Sequence, residues 1–226
     1  MQWLWENLDL VLGLTLDHAR LSIVPIVVSF VASIPLGWIA SRSRILRVLI
    51  LFVAGVLFTV PSIALFILLP PILGTRILDE ANIVVALSIY GVALMARGGA
   101  DAFTSVPSEV TYSSTALGYS RWSRFVGVDL PLAGPVLLAN LRVVAVSTVS
   151  LLSVGSLIGV ESLGSLFLNG YQRSFATEIV IGIVFTILLA VVFDRVLVIL
   201  GRLAMPWTRV RAIETVRMPL AAGVSA

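Results

Sequence analysis

The 226-residue chain is too apolar to fold in water. Hydrophobic residues make up 59% of it, charged residues only 12%, and the mean hydropathy is +1.08, whereas a soluble domain carries about 25% charged residues. The apolar residues lie in long blocks and lack the period of amphipathic strands or helices. The composition therefore excludes a soluble globular protein and predicts an all-α integral membrane protein.

Charge and cysteine content exclude further classes of protein. All 15 basic residues are arginines, and the formal net charge of +3 is too small and dispersed for a nucleic-acid-binding surface. The chain has no cysteine, so disulfides and thiolate metal sites are not available to it. We expect neither a metal site nor a nucleic-acid partner.

The first 19 residues are predicted to form an external segment of their own at the membrane surface. They carry Glu6 and Asp9 and have no basic start or small-residue cleavage site, so they do not resemble a cleavable signal peptide. Trp3 and Trp5 stand among leucines, a pattern typical of an amphipathic helix at a membrane interface. A frayed leader is the alternative interpretation.

Five apolar stretches predict about five membrane-crossing helices in a domain at residues 20–204. A helix needs about 20 apolar residues to cross the hydrocarbon core. The stretches lie at residues 21–40, 48–69, 83–96, 135–157 and 179–200. The third is short, so a buried or tilted helix is an alternative there. Pro61 lies inside the second stretch and is expected to kink it.

The arginines outside these stretches predict the orientation in the membrane, because cytoplasmic loops are rich in basic residues. With the loop after the first span in the cytoplasm, alternation puts the polar segment at 101–134 and the tail at 205–226 on the same side. The arginines of that side are Arg42, Arg44, Arg47, Arg97, Arg121, Arg124, Arg202, Arg209, Arg211 and Arg217. The other side holds Arg20, Arg76 and Arg173. We expect the N-terminus outside and the C-terminus in the cytoplasm.

The polar segment between the third and fourth spans carries a spaced motif. An Ala-Leu-Gly triplet is followed, after nine residues, by Val-Asp-Leu-Pro; the residues are Ala116, Leu117, Gly118, Val128, Asp129, Leu130 and Pro131. A glycine that ends one short helix and a proline that starts the next would build a helix-turn-helix lying flat on the membrane. Such an element can dock in a cleft on a soluble partner.

This motif resembles the cytoplasmic signature of binding-protein-dependent ABC importer permeases, in which a Glu-Ala-Ala triplet, a glycine and Ile-x-Leu-Pro recur at these intervals. The resemblance implies a type I ABC importer permease fold, with a cytoplasmic coupling-helix loop that the ATPase grips. It also implies ATPase-coupling roles for Glu109, Ala116, Leu117, Gly118, Val128, Leu130 and Pro131. Tyr112, Ser113 and Ser114 stand where the acidic triplet starts. Glu109 is a candidate replacement, and a solvated helix-start carboxylate is the alternative.

Further stretches resemble the osmoprotectant type of these permeases, namely residues 18–37, 59–66 and 158–170. The resemblance implies a multi-pass protein of the bacterial inner membrane that imports glycine betaine, choline, carnitine or a proline-like solute; a permease for methionine is the alternative. The implied partners are an ABC ATPase dimer, an external binding protein and a second permease subunit, identical or different. ATP and Mg²⁺ would bind to the ATPase, with no cofactor on this chain.

Polar and small residues inside the spans are candidates for the translocation path and for helix packing. A proline-kinked helix exposes backbone carbonyls to a polar solute, although such a kink can also serve packing alone. The candidates for the path are Pro61, Ser62, Ser150 and Ser153. Gly155 and Gly159 are four residues apart, which favours close helix packing over substrate contact.

The sequence contains no recognisable enzymatic constellation. It has no Walker glycine loop and a single histidine, His18, which is expected at the outer membrane boundary. An intramembrane serine hydrolase using Ser150 or Ser153 would need a base within reach. A membrane scaffold without transport is a third class of function.

Asp194 in the fifth span should face protein, and we expect it to pair with Arg142.

Overall fold

The computed structural model describes residues 2–208, and these residues form helices and turns without a strand. The helices are α1 (Gln2–Glu6), α2 (Leu8–Arg42), α3 (Arg44–Thr59), α4 (Ser62–Leu73), α5 (Glu80–Thr104), α6 (Ser108–Ala116), α7 (Arg121–Arg124), α8 (Leu130–Leu152), α9 (Gly164–Gln172) and α10 (Ala176–Ala204). A π-helical turn at Phe125–Asp129 precedes α8, and a 3₁₀ helix at Ser153–Ile158 follows it. The predicted all-α class is confirmed. Arg209, Arg211 and Arg217 lie outside the described residues.

Four helical stretches among the described residues are long and apolar enough to cross a membrane: Leu8–Arg42, Glu80–Thr104, Arg121–Ile158 and Ala176–Ala204. Helices α3 and α4 together make a fifth if the bent pair is one span, so the prediction of about five spans is confirmed. The third span is longer than predicted. The predicted apolar stretch ends at residue 96, but α5 continues to Thr104, and Gly98 and Gly99 lie inside it, where their small size serves packing.

The N-terminal segment is continuous with the first span. Helix α2 starts at Leu8, so the predicted boundary after residue 19 does not coincide with a break. His18, which was expected at the outer membrane boundary, is completely buried within the protein. Its Nδ1 accepts the N–H of Leu163 at 3.3 Å, and its Nε2 lies 2.9 Å from the carbonyl oxygen of Val149. The imidazole therefore joins α2 to α8 and to the segment before α9.

The second span is broken where only a kink was expected. Helices α3 and α4 are bent by 99°. Val60 and Pro61 between them are extended, because proline disfavours a helical conformation at the residue before it. The hydroxyl of Tyr90 in α5 donates to the carbonyl of Val60. This bond satisfies a carbonyl that the break leaves without a helical partner, as a low-dielectric surrounding requires.

Helices α2 and α5 approach so closely that their backbones touch. Ser29, Ser33 and Gly37 follow one another at a spacing of four along α2 and face Gly91 and Gly99 of α5. A Cβ on Gly99 would lie 2.7 Å from the carbonyl oxygen of Ser33, and one on Gly37 would lie 2.5 Å from the carbonyl oxygen of Gly99. Small residues at this spacing let two helix backbones approach closely. In a membrane, where the hydrophobic effect does not drive helices together, the resulting dispersion contacts stabilise the pair. The sequence analysis did not identify this contact.

The glycines that the sequence suggested for packing lie just beyond α8. Gly155 is buried in the 3₁₀ helix, where a Cβ would overlap the side chain of Ile83 in α5. Gly159 ends that helix with a φ of +87°, and a Cβ on it would lie 2.6 Å from the side chain of Leu78. Gly155 therefore lies in a contact within the chain, and the conformation of Gly159 favours glycine.

Helix α10 is held at the edge of the bundle by an ion pair. In its most apolar stretch only 6% of the residues are buried, against 61% for α5. Arg142 of α8 binds Asp194 in a bidentate manner, with Nε 2.6 Å from Oδ1 and an Nη nitrogen 3.0 Å from Oδ2. The expected pair is confirmed, and its geometry is that of a strong charge-assisted interaction.

We predict that Gly37→Ala destabilises the protein, because the new methyl group meets the backbone of Gly99 and neither helix can yield without moving. Overpacking costs about 1 to 3 kcal/mol, and a backbone clash belongs at the upper end. Gly13 of the same helix has open space around it, so Gly13→Ala should be neutral or stabilise by about 1 kcal/mol. The thermal unfolding midpoint of the detergent-solubilised protein measures both, and equal midpoints for the two variants would contradict the contact.

Candidate functional site

Helix α6 ends in a turn that depends on the conformation of Gly118. Its φ is +85°, in the left-handed region. The N–H of Tyr119 donates to the carbonyl of Ser114 at 3.1 Å, and that of Gly118 to the carbonyl of Thr115 at 3.0 Å. These two bonds form a Schellman motif. A Cβ on Gly118 would meet nothing within 4 Å, so the preference for glycine is conformational and not a matter of space.

Helix α7 begins at a capping serine and is tied back to α6. The side chain of Ser120 accepts the N–H of Ser123 at 3.2 Å, which satisfies one of the free donors at the helix start. The guanidinium of Arg124 donates to the hydroxyl of Thr115 in α6 at 2.9 Å. The helix-turn-helix expected from the motif is therefore present.

The expectation that Pro131 starts the second helix is wrong. Helical structure is continuous from Arg121 through the π-helical turn into α8. Within the turn, the N–H of Leu130 donates to the carbonyl of Phe125, five residues earlier. A proline ring crowds the preceding turn of an α-helix. The wider π turn directly before Pro131 gives that ring room without ending the helix.

The outer surface of α6, the turn and α7 is exposed and aromatic; we call it the coupling surface. Its large side chains are Tyr112, Leu117, Tyr119 and Trp122, of which Leu117 is 78% exposed and Trp122 is 72% exposed. Glu109, Ala116 and Gly118 are also exposed. Contiguous exposed apolar side chains of this size mark a binding surface. Four of the predicted coupling residues, Glu109, Ala116, Leu117 and Gly118, thus lie on one exposed element.

The second half of the motif faces another way. Val128, Leu130 and Pro131 are half-buried. Leu130 and Pro131 line an apolar cavity of about 540 Å³, together with α10 residues such as Leu197 and Gly201. The structure therefore separates the Leu-Pro pair from the coupling surface and places it where α8 meets α10.

The sequence analysis gave no role to Asp129, the one polar residue of the Val-Asp-Leu-Pro tetrad. Its side chain is 9% exposed and lies between Arg42, at the end of α2, and Arg124 of α7. A single carboxylate among apolar residues in an arginine-rich segment was the available signal. The partner Arg42 lies 87 positions away in the sequence, so no local pattern could pair the two.

Two of the residues suggested for a translocation path lie at the break in the second span. Pro61 is exposed and precedes α4, and Ser62 is the first residue of that helix. On its other side, α4 buries Phe66 and Leu69 in a cluster that includes Leu152 at the end of α8. The break therefore lies at the exposed start of a helix that is anchored to the bundle by Phe66 and Leu69.

The two suggested serines of the fourth span differ in environment. Ser150 is exposed on the face of α8 that also presents Val143 and Val146. Ser153 begins the 3₁₀ helix, and its hydroxyl is buried without a hydrogen-bond partner among the described residues. It lines a cavity of about 290 Å³ that is bordered by α9 and does not include Pro61 or Ser62.

The segment before α9 contains Val160, Glu161 and Ser162. Val160 and Ser162 are buried. The hydroxyl of Ser162 accepts the N–H of Gly164 at 3.1 Å, while the N–H of Ser162 donates to the hydroxyl of Ser165 at 3.3 Å. These serines form a reciprocal cap, so polar side chains at this position stabilise the start of α9.

The described residues do not assemble a hydrolase site. Both ring nitrogens of His18 are engaged with backbone groups, so this side chain is unavailable as a base for a serine. Within residues 2–208 no group of three or more histidine, aspartate or glutamate residues could hold a metal ion.

A bundle of about five spans with an exposed helix-turn-helix between the third and fourth defines the membrane subunit of an importer. The chain belongs to the family described as binding-protein-dependent transport system inner membrane component, whose pattern matches residues 33–209. It is thus a multi-pass inner-membrane permease subunit and not an enzyme. In this family a separate ATPase and a substrate-binding protein are the partners.

Curated relatives and solved structures agree with this assignment. The chain is 28% identical to the osmoprotectant import permease protein OsmW of Salmonella typhimurium, over 87% of this chain and 93% of that protein. It is 27% identical to the glycine betaine/carnitine/choline permease protein OpuCD of Bacillus subtilis, over 84% and 82%. A chain of the inward facing MetNI methionine ABC transporter has the same fold, with a TM-score of 0.70 at 20% identity over 89% of this chain and 97% of that one.

We predict that Gly118→Leu prevents stable association with the ATPase or uncouples ATP hydrolysis from uptake. Leucine disfavours the left-handed conformation by about 1 to 2 kcal/mol, which displaces the exposed Leu117 and Tyr119 beside it. Asparagine tolerates that conformation, and the space around Gly118 is open, so Gly118→Asn should retain most function. Co-purification with the ATPase and solute uptake measure the effect. Full coupling in the leucine variant would contradict it.

Proposed function

We propose that this chain forms half of the translocation path of an ATP-driven importer for a small osmoprotectant, such as a quaternary-ammonium compound or a proline-like solute. The observation that carries the proposal is the combination of an exposed coupling surface with near-full-length similarity to osmoprotectant permeases. The methionine transporter shares the fold at 20% identity, which supports no inference about solute. Methionine is therefore the weaker alternative.

The proposed complex contains two permeases, an ATPase dimer that binds ATP and Mg²⁺, and an external binding protein that delivers the solute. No cofactor is assigned to this chain. Closure of the ATPases around ATP would move the coupling surface and open the paired permeases outward; hydrolysis would reset them. What this chain contributes is a docking element, a set of rigid helices and part of the path.

For the path itself we assign Pro61, Ser62, Ser150 and Ser153, the last two at the outer end of α8. The extended backbone at Val60 and Pro61 interrupts a span, and irregular backbone at membrane depth is tolerated where it lines a cavity or is buried in protein. The exposed hydroxyl of Ser150 lies on an otherwise apolar face. Such sparse polarity suits a solute that the binding protein has already selected.

We further assign a different chain as the second permease. The coupling surface presents the exposed aromatic side chain of Tyr112 where the family motif starts with an acidic residue, and Glu109 is exposed at the start of α6. A partner that retains the acidic contact would supply at one ATPase what this chain lacks, and the two halves move together through their interface.

The solute prediction is tested on the complex purified from its own cells through a tag on this chain and reconstituted in vesicles with its binding protein. ATP should drive uptake of labelled glycine betaine, carnitine, choline or proline, and an ATPase inactivated at its Walker lysine should abolish it. Uptake of methionine alone would contradict the proposal.

The heteromeric assignment is tested by mass spectrometry of the same complex, which identifies the second permease. An active complex with this chain as sole permease would refute the assignment.

The orientation is tested with single cysteines, because the native chain has none. We propose that the N-terminus is outside and the C-terminus in the cytoplasm. Cysteine at Arg44 or Ser123 should be protected in intact cells from a membrane-impermeant thiol reagent, and cysteine at Arg76 should react. All three positions should react after the cells are opened, which controls for burial. Labelling of position 44 in intact cells would reverse the topology and move the coupling surface to the wrong side.

A further inference from the structure

A cluster of charges, with Asp129 and Arg124 buried and Arg42 at its exposed edge, lies directly behind the coupling surface. The Oδ2 of Asp129 is 3.4 Å from a guanidinium nitrogen of Arg42 and 3.6 Å from Nε of Arg124. The guanidinium of Arg42 also lies 4.7 Å from the ring centroid of Trp38, a cation–π distance. The ring of Trp38 in turn contacts Phe125 of the π-helical turn edge-on, with centroids 5.2 Å apart. We call Arg42, Arg124, Asp129 and Trp38 the joint.

The joint connects two parts of the chain that are not continuous. Asp129, Arg124 and Phe125 belong to the helical stretch that starts at Arg121, so any displacement of α7 reaches α8 through the backbone. Arg42 is the last residue of α2. A displacement of the coupling surface reaches this end of α2 through side chains, and the ion pairs of the joint are among these contacts.

The joint is loosely paired although Arg124 and Asp129 are buried. Charge-assisted hydrogen bonds usually measure about 2.7 to 2.9 Å, and the distances to Asp129 are longer, at 3.4 Å and 3.6 Å. Three buried atoms, Nε1 of Trp38, Nε of Arg124 and Oδ1 of Asp129, lack a hydrogen-bond partner within the described part of the chain. By comparison, the ion pair between Arg142 and Asp194, which also joins two helices, has a distance of only 2.6 Å.

The joint also has room to change. Its residues line a polar cavity of about 280 Å³, which is bordered by Ser41 at the end of α2, Thr104 at the end of α5 and Thr111 of α6. Buried polar atoms without partners are costly and call for a physical explanation. A second arrangement, in which α6 and α7 move toward α2 and shrink the cavity, would pair them.

We propose that Asp129 is a positioning residue for transport, which transmits the movement of the coupling surface to α2 by exchanging loose ion pairs for tight ones as the cavity closes. The π-helical turn contributes because it alters the helical phase just where Asp129 enters the interior. The coupling residues on the surface receive the ATPase, and Asp129 acts behind them. The proposal rests on the proposed function, since it assigns a step of the transport cycle.

The test compares Asp129→Asn with Asp194→Asn, the same chemical change in the tight pair. Each complex is reconstituted in vesicles, and solute uptake is divided by ATP hydrolysed. Allosteric coupling of the usual size changes this ratio by about 5- to 150-fold. We expect Asp129→Asn to lower the ratio at least about tenfold, and Asp194→Asn to lower the yield of complex while leaving the ratio unchanged. Equal proportional losses of uptake and hydrolysis in Asp129→Asn would reduce the residue to a structural role.

If Asp129→Asn does not assemble, Asp129→Glu decides the matter, because it keeps the charge and shifts it by one methylene. A positioning role requires a lowered ratio in the glutamate variant, and a wild-type ratio in an assembled complex would overturn the proposal.

A second measurement does not depend on the solute. Cysteine introduced at Ser41, which lines the cavity, should react about tenfold more slowly with a small thiol reagent in the ATP-bound complex than in the nucleotide-free one, because the cavity closes. Cysteine at Ser43, two positions along, serves as the control and should react equally in both states. Unchanged reactivity at position 41 would overturn the proposed closure. Failure of the osmoprotectant assignment would leave this result untouched, so the two failures are distinguishable.

Discussion

The backbone contact between α2 and α5 is the constraint on which the other helices depend. Ser33 and Gly37 bring α2 against Gly99 so closely that no side chain fits between the helices. Inside a membrane, apolar surface gains little by leaving lipid, so this contact relies on dispersion and shape. With α5 fixed against α2, Tyr90 of α5 lies where its hydroxyl reaches the broken second span.

Polar links then divide the molecule into fixed and adjustable parts. His18 is satisfied at both ring nitrogens, and Arg142 and Asp194 form a close bidentate pair. Each holds two elements in one arrangement. Asp129 lies at longer distances from Arg42 and Arg124, and all three residues border a cavity. The adjustable link lies next to the coupling surface, where an importer driven by a separate ATPase has to convert docking into movement.

The features that could be predicted from the sequence are those that depend on residues close together in the chain. The spans follow from length and hydropathy, and the turn at Gly118 follows from a motif whose hydrogen bonds join residues five positions apart or fewer. Contacts with distant residues could not be predicted in this way. The ring of buried His18 bonds to backbone groups of Val149 and Leu163, 131 and 145 positions away, and no local pattern indicates these partners. Pro131 was misread because proline usually begins a helix, and nothing in the sequence announced the π-helical turn before it.

The unbroken helical stretch from Arg121 to Ile158 has a mechanical consequence. Its 38 residues span about 57 Å at 1.5 Å per residue, so one long helical stretch runs from the coupling surface to the segment before α9. A rotation of about 5° about one end would carry the other about 5 Å sideways over that length. A small angular change at the coupling surface is therefore geometrically sufficient to displace the far end of this stretch by the width of a small solute, without unwinding any part of it.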